Sequence, residues 1–223
     1  MGHDAHRPLR ADAERNRRLV LEAAAQAFAE RGFDVGVAEI ARRAGVGNAT
    51  VFRRFPSKEE LFRAIIEEKA AECLAAAQRA AENDDPWDAL VELLTATAEM
   101  QARDRGFFEA TEDQLLRDPE LVRCHLPILA AVDSIVARAQ EAGVVRDDVT
   151  ALDMLGLVKG AVAAMRPIGG IGEDAWRRFL SLMLDGLRPQ AATDLPAPPI
   201  SPDEFERAIV GAAPQGLTLR RSR

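Results

Sequence analysis

The 223-residue sequence is poor in the residues that build metal centres and redox pairs. Its two cysteines, Cys73 and Cys124, form no CxxC pair, and its three histidines are scattered at positions 3, 6 and 125. Zinc sites and redox motifs need such ligands at short, characteristic spacings. We therefore expect two reduced cysteines, no metal site and no cofactor.

Long hydrophobic runs are missing too. No stretch of about 18 or more uncharged apolar residues occurs, which argues against a membrane-spanning helix. The first ten residues, MGHDAHRPLR, contain no apolar signal-peptide segment. We expect a cytoplasmic protein without a membrane partner.

Strict alternation of apolar and polar residues is also absent, so strands are not expected. Apolar residues instead recur at helical spacing, as at Val20, Ala23, Ala24, Ala27 and Phe28. Glycine and proline punctuate such segments along most of the chain. The sequence predicts an all-α fold with about nine to ten helices.

Charge is unevenly distributed along this acidic chain, whose formal net charge is −7. Residues 1–58 carry 11 Arg or Lys and 7 Asp or Glu, a balance of +4, whereas the remainder balances at −11. A basic N-terminal quarter on an acidic body indicates a local contact with a polyanion.

Residues 37–55 fit a helix-turn-helix. Ile40 and Val51 are the inward apolar positions of its two helices. Gly45 occupies the turn, where the backbone is left-handed and only a residue without a Cβ avoids steric strain. The second helix presents polar and basic side chains, with Phe52 and Phe55 partly anchoring it. These side chains are Asn48, Thr50, Arg53 and Arg54.

The chemistry of this set suits DNA. Asn pairs bidentately with adenine and Arg with guanine, while a Thr methyl can touch the methyl of thymine. Lys58 begins the next helix, beside free N–H groups that favour a phosphate. A single arginine on a helix usually does no more than contact water. The polar and basic side chains of the second helix together with Lys58, however, favour DNA binding.

The region at about residues 17–61 resembles the N-terminal domain of TetR-type transcriptional repressors. Its central part reads AAAQAFAERGFDVGVAEIARRAGVGNATVFRRFPSKEELF, residues 23–62. The positions that carry the likeness are the helix face of Ala23 and Phe28, then Gly32-Phe33, Ile40-Ala41, Ala44-Gly45-Val46, Thr50, Phe55, Lys58 and Leu61.

This resemblance implies a homodimer that binds double-stranded DNA and responds to a small molecule. The residues implied to lie in the major groove are Asn48, Thr50, Arg53 and Arg54, with Lys58 on phosphate. Two departures stand out. Phe52 replaces a usual tyrosine whose hydroxyl often contacts phosphate, and Gly36 replaces the usual Ser or Thr that starts the second helix.

Four parts of the chain follow from these patterns. Residues 1–10 are a flexible arm and 11–57 the helix-turn-helix domain. Residues 58–188 form a helical domain, to which the resemblance assigns ligand binding and dimerisation. Residues 189–223 are a Pro-rich tail, since five of the twelve prolines lie between 189 and 202.

The last helices are the predicted dimer interface, because small residues at four-residue spacing let a partner helix approach closely. Ordinary packing within the chain is the alternative. The predicted interface residues are Gly156, Gly160, Ala164, Trp176, Leu180, Met183 and Leu187.

The ligand pocket is predicted around the break at Gly106. Apolar and polar side chains near this break can line a cavity, although Met and Phe here can equally be core. The predicted pocket residues are Met100, Gln101, Phe107, Phe108 and His125.

The leading hypothesis is a ligand-responsive regulator, a repressor that binds a palindromic operator and is released by a small, largely apolar ligand. The alternative is a helical small-molecule or partner-binding protein that has lost specific DNA reading. No nucleophile–base spacing or phosphate loop is visible in the sequence, so we expect no enzyme.

Overall fold

The computed structural model describes residues 6–164 and 175–201, together with 204 and 207. Every regular element among these residues is helical, which confirms the all-α prediction. None of the helices in this part of the chain is long and apolar enough to cross a membrane.

The helices follow the chain in a simple order. The first group is α1 (His6–Arg31), a 3-10 helix (Gly32–Asp34), α2 (Val37–Ala44), α3 (Asn48–Arg54) and α4 (Lys58–Ala81). The second group is α5 (Pro86–Arg103), α6 (Arg105–Arg117), α7 (Pro119–Arg123), α8 (Leu126–Glu141), α9 (Ala151–Ala163), α10 (Ala175–Asp185) and a 3-10 helix (Pro189–Ala191).

The chain forms two compact units, and neither is a single stretch of sequence. The first contains the residues up to Lys69 together with Arg105–Leu115, and the second contains Ala70–Asp104 and the residues from Leu116 onward. The divisions therefore fall inside α4, between α5 and α6, and inside α6, whereas the predicted boundary at residue 58 lies at the start of α4. The reason is apolar burial, because Leu61 and Phe62 in the first turn of α4 are buried.

The first helix starts earlier than expected. It begins at His6, so residues 6–10, predicted as part of a flexible arm, are helical, and residues 1–5 lie outside the described residues. Val20 is the first buried residue of α1 whose burial is described. The described side chains before it are exposed or half-buried, so apolar periodicity gives no signal for this part of the helix.

Two glycines end helices in the first unit through left-handed backbone. Gly32 follows α1 with φ of +67°, and Gly45 follows α2 with φ of +68°. At the second of these ends the Val46 N–H donates to the Ala41 carbonyl at 3.0 Å, which satisfies a terminal carbonyl of α2. The turn between α2 and α3 is thereby fixed by backbone geometry.

A cluster of four phenylalanine rings forms the core of the first unit, and we call it the aromatic cluster. The Phe28 centroid lies 5.4 Å from Phe33, 6.0 Å from Phe62 and 6.4 Å from Phe107. These separations fall in the range preferred by aromatic pairs. The cluster therefore joins α1, α4 and the start of α6.

The second unit is built on α5, α8, α9 and α10. Its buried side chains include Leu90, Val136, Met154 and Leu180, one from each of these helices. Arg188, which follows α10, places its guanidinium 3.4 Å from the centroid of the Trp87 ring on α5. This unit has an apolar core of its own.

Replacement of Gly45 tests the turn between α2 and α3. Gly45→Ala should lower the free energy of unfolding by about 1–2 kcal/mol, because a Cβ is strained in left-handed backbone. Gly45→Asn should lose less, since asparagine tolerates this conformation. Urea unfolding followed by circular dichroism measures both, and equal stability of all three proteins would contradict the prediction.

Candidate nucleic-acid interface

The helix-turn-helix presents one face of α3 to solvent. Val51 and Phe55 are buried and seat the helix against the unit. On the rest of α3, Asn48, Arg53 and Arg54 are exposed. The Phe52 side chain is exposed as well. The face thus combines an amide, an aromatic ring and two guanidinium groups, the groups that read bases in a major groove.

Thr50 occupies a less open position than these residues. Its side chain is half-buried, and its backbone N–H donates to the Gly47 carbonyl at 2.9 Å in the first turn of α3. A hydroxyl and methyl at this place can reach only the part of a ligand that approaches the start of the helix.

The two adjacent arginines have different surroundings. Arg54 Nη2 lies 3.7 Å from Glu14 Oε2, which connects the end of α3 to the exposed part of α1. Both side chains of this pair are largely exposed. No ion pair of Arg53 occurs among the described residues. Arg53 is therefore the more available guanidinium of the two.

Lys58 is held by the unit at the start of α4. Its Nζ donates to the Phe33 carbonyl oxygen at 2.6 Å and lies 4.5 Å from the centroid of the Phe33 ring. Since an ammonium group has three donors, this bond leaves others for a further acceptor. Phe33 belongs to the aromatic cluster, so the position of the Lys58 ammonium depends on that core.

An ion-pair network fixes α2, the first helix of the motif. The Arg42 guanidinium pairs bidentately with Glu39 at 3.0 and 2.7 Å, and Arg43 Nε donates to Glu39 Oε1 at 2.9 Å. Arg43 Nη2 also lies 2.7 Å from Glu30 Oε2 on α1. Hydrogen bonds from Arg42, then Arg43, lower the pKa of Glu39 to about 2. The network therefore ties α2 to α1 through charge.

The predicted pocket residues are divided between the two units. Phe107 lies in the aromatic cluster of the first unit, and the ring of Phe108 is 5.5 Å from it. In the second unit Met100 is buried in the core, Gln101 is half-buried, and His125 Nδ1 lies 2.9 Å from the Leu121 carbonyl oxygen. The pocket remains a prediction.

An open groove of about 370 Å³ lies elsewhere in the second unit. It is lined by Asp148 and by tail residues 194–199. None of the predicted pocket residues lines it.

Three predicted interface residues are core residues of the single chain. Trp176 and Leu180 on α10 and Leu187 in the turn after it are buried in the core of the second unit. Of the other four, Gly156 is exposed, while the side chains or positions of Gly160, Ala164 and Met183 are half-buried. A Cβ placed on Gly160 would lie 3.6 Å from Met183 Cε, so these two meet within the chain.

Three sets of contacts at the site were not predicted from the sequence. Glu14 lies beyond the apolar pattern of α1, so only the folded helix brings it to Arg54. The Phe33 carbonyl as a partner of Lys58 has no sequence signal, since any residue supplies a backbone carbonyl. The spacing of Glu39 to Arg42 and Arg43, three and four residues, is a signal that could have been read.

The lowered pKa of Glu39 predicts an acid-dependent contribution to stability. Because the pKa falls from 4.5 to about 2 on folding, the stabilisation is present above about pH 4.5 and is lost as pH falls through about 2. Glu39→Gln should lower the melting temperature at pH 7 and flatten its fall between pH 4.5 and 2. Thermal unfolding from pH 7 to 2 measures this effect.

Glu67→Gln is the matched control. It removes an exposed carboxylate of α4 for which the described part of the chain shows no ion pair. Its melting profile should follow that of the wild type, and the same flattening in both variants would contradict a specific role for Glu39.

Comparison with known proteins assigns both parts of the chain. Residues 20–65 match the family described as bacterial regulatory proteins, tetR family. Residues 85–189 match the C-terminal domain of SbtR-like transcriptional regulators. The two matches together span 151 of the 223 residues.

Individual relatives agree with this assignment. An uncharacterized HTH-type transcriptional regulator of Mycobacterium tuberculosis is 30% identical over 131 residues, which cover 57% of this chain and 68% of that protein. LfrR of Mycolicibacterium smegmatis, named an HTH-type transcriptional repressor, is 32% identical over 108 residues, which cover 48% of this chain and 56% of LfrR.

A solved structure extends the likeness over most of the chain. The TetR transcription regulatory protein from Mycobacterium vanbaalenii has 33% sequence identity and a TM-score of 0.57, over 81% of this chain and 99% of that one. With its helix-turn-helix and helical second unit, the chain belongs to the TetR family of DNA-binding transcriptional regulators, which are not enzymes.

Proposed function

We propose that this regulator is a repressor that binds a palindromic operator as a homodimer and is released by a small, largely apolar ligand. The observation that carries the proposal is the exposed face of α3, where Asn48, Arg53 and Arg54 project from a helix seated by buried residues. The named repressor LfrR among its relatives supports the direction of regulation.

Dimerisation is proposed from the operator geometry and from the surface of the last helices. Helix-turn-helix dimers read two half-sites about 34–36 Å apart, so the operator mirrors the two-fold symmetry of the protein. On α10, Leu182 is a large apolar side chain with 58% of its surface exposed, and Gly156 on α9 has open space around it. We assign these two positions to the interface, with Met183, Gly160 and Ala164 beside them.

Ligand release is proposed for the second unit, which is far larger than DNA reading needs. Its match to the C-terminal domain of SbtR-like regulators supports a regulatory role. A ligand shifts the protein only if it prefers the state that binds the operator poorly. A coupling of about 1–3 kcal/mol would weaken DNA binding roughly 5- to 150-fold.

Selection of DNA from a genomic library by the purified protein tests the proposal. The expected result is a palindromic motif, which shows both specific reading and a dimer. The double variant Arg53→Ala with Arg54→Ala should lose the motif, because each bidentate arginine contact with guanine discriminates by about 1–3 kcal/mol, or roughly 5- to 150-fold.

The matched control removes two exposed arginines of the second unit that lie outside the proposed interface, Arg79→Ala with Arg123→Ala. It makes the same change of charge and should keep the motif. Binding by the wild type that depends on salt but not on sequence would contradict the proposal. That result would favour a helical small-molecule or partner-binding protein that has lost specific DNA reading.

Glu14 should weaken DNA binding by competing for Arg54. Their carboxylate–guanidinium pair is exposed, and such pairs contribute about 0.2–1 kcal/mol. Glu14→Gln should therefore raise affinity for non-specific DNA about 1.5- to 5-fold. It should also make log K fall more steeply with log salt, by up to about 0.9, as one more phosphate contact becomes available.

Fluorescence anisotropy with a random duplex at several salt concentrations measures both quantities. Glu22→Gln is the control, because Glu22 also lies 3.7 Å from an arginine of the first unit, Arg18, but on α1 and not at α3. An unchanged salt slope for Glu14→Gln would show that Arg54 makes no phosphate contact that Glu14 restrains.

A further inference from the structure

Phe52 is exposed in a place where the rest of the unit hides its large apolar groups. Its side chain has 49% of its surface in solvent, whereas Phe28, Phe55 and Phe62 are buried. Among the first-unit residues whose side chains are described, it is the one large apolar side chain that is exposed. The buried side chains of Val51 and Phe55 already anchor the helix to the unit. The exposed Phe52 ring is therefore available to contact a ligand.

The ring shares its helix face with an amide. Asn48 lies four residues before Phe52, and residues at this spacing are neighbours on one side of a helix. Both are exposed. Asn48 is a partner for adenine, through bidentate hydrogen bonds to N6 and N7. Whatever Phe52 touches therefore lies close to the base pair that Asn48 reads.

The chemistry of a phenyl ring limits what it can bind on DNA. It has neither a hydrogen-bond donor nor an acceptor, so it makes no bond to a phosphate oxygen or to the polar edge of a base. The apolar group that the major groove displays is the 5-methyl of thymine. A deoxyribose is the other apolar surface, but it lies along the backbone and carries no sequence information.

We propose that Phe52 determines specificity by covering the 5-methyl group of a thymine in each half of the operator. This inference rests on the proposed function, since it gives the chemistry of one contact within that DNA site. Four residues of helix rise span about 6 Å, and base pairs are 3.4 Å apart along a strand. The thymine therefore lies within about two base pairs of the adenine read by Asn48.

Replacement of single thymines by deoxyuridine tests the contact at the level of one methyl group. The full-length protein and its selected operator are used, with each thymine replaced in turn. Removal of the contacted methyl should weaken binding about 4-fold in one half-site, the equivalent of about 0.8 kcal/mol for one buried carbon group. Replacement in both half-sites should weaken it about 15-fold.

Phe52→Ala should bind the thymine and uracil operators equally, and the thymine operator more weakly than the wild type does. Phe52→Tyr keeps the ring and should keep the sensitivity to the methyl. Thr50→Ser is the matched control, because it removes the other methyl group that α3 offers to thymine. It should leave the effect of uracil unchanged.

Three results would overturn this inference while leaving the proposed function in place. The wild type can prove insensitive to uracil at every position of a specific operator. The sensitivity can persist in Phe52→Ala, or it can vanish in Thr50→Ser. Loss of affinity in Phe52→Ala without any uracil effect would assign the ring to a deoxyribose. Selection of no motif at all removes the proposed function and this inference together.

Discussion

The packing of phenylalanine rings around Phe28 is the contact on which the DNA-reading unit depends. The Phe28 ring packs against Phe33, Phe62 and Phe107, from three different parts of the chain. Each such pair contributes about 0.5–1.5 kcal/mol beyond the burial of area. Lys58 then lies over Phe33 and bonds its carbonyl, so the cluster also positions the first charge of α4.

Charge then adds orientation to a unit that apolar packing has already formed. Exposed ion pairs contribute little to stability, yet three of those in the first unit involve α2. Glu39 pairs with both Arg42 and Arg43 on α2, and Arg43 also pairs with Glu30 on α1. Arg53, Arg54 and Lys58 place positive charge on α3 and at the start of α4, although the whole chain is acidic.

Sequence alone could predict the helix-turn-helix because local rules and global packing agree there. Gly45 ends α2 in left-handed backbone as expected, and Ile40 and Val51 are buried as the pattern indicates. The dimer residues were harder to place, because an apolar stripe does not say whether it faces a core or a partner. Trp176 belongs to the core, while Leu182, outside the predicted set, is exposed.

The two units divide inside α4, whereas the predicted domain boundary lies at the start of this helix. The capping box at Ser57 marks where α4 begins, but a helix start does not show which core the helix joins. Phe62 and Phe107 are distant in sequence, and their rings meet at 5.8 Å only in the folded unit. A pairing of this kind has no periodicity that a single sequence could reveal.

The free energy of these aromatic contacts is comparable with the free energy by which a ligand changes DNA binding. Helix α4 contributes to both cores: Leu61 and Phe62 are buried in the first unit, and Ala77 and Ala80 belong to the core of the second. The coupling expected of a regulator, about 1–3 kcal/mol, is no larger than one or two aromatic contacts of about 0.5–1.5 kcal/mol each. Ligand release, as proposed above, would therefore not require the reading unit to unfold. A change in one ring contact, such as that between Phe62 and Phe107, has sufficient energy.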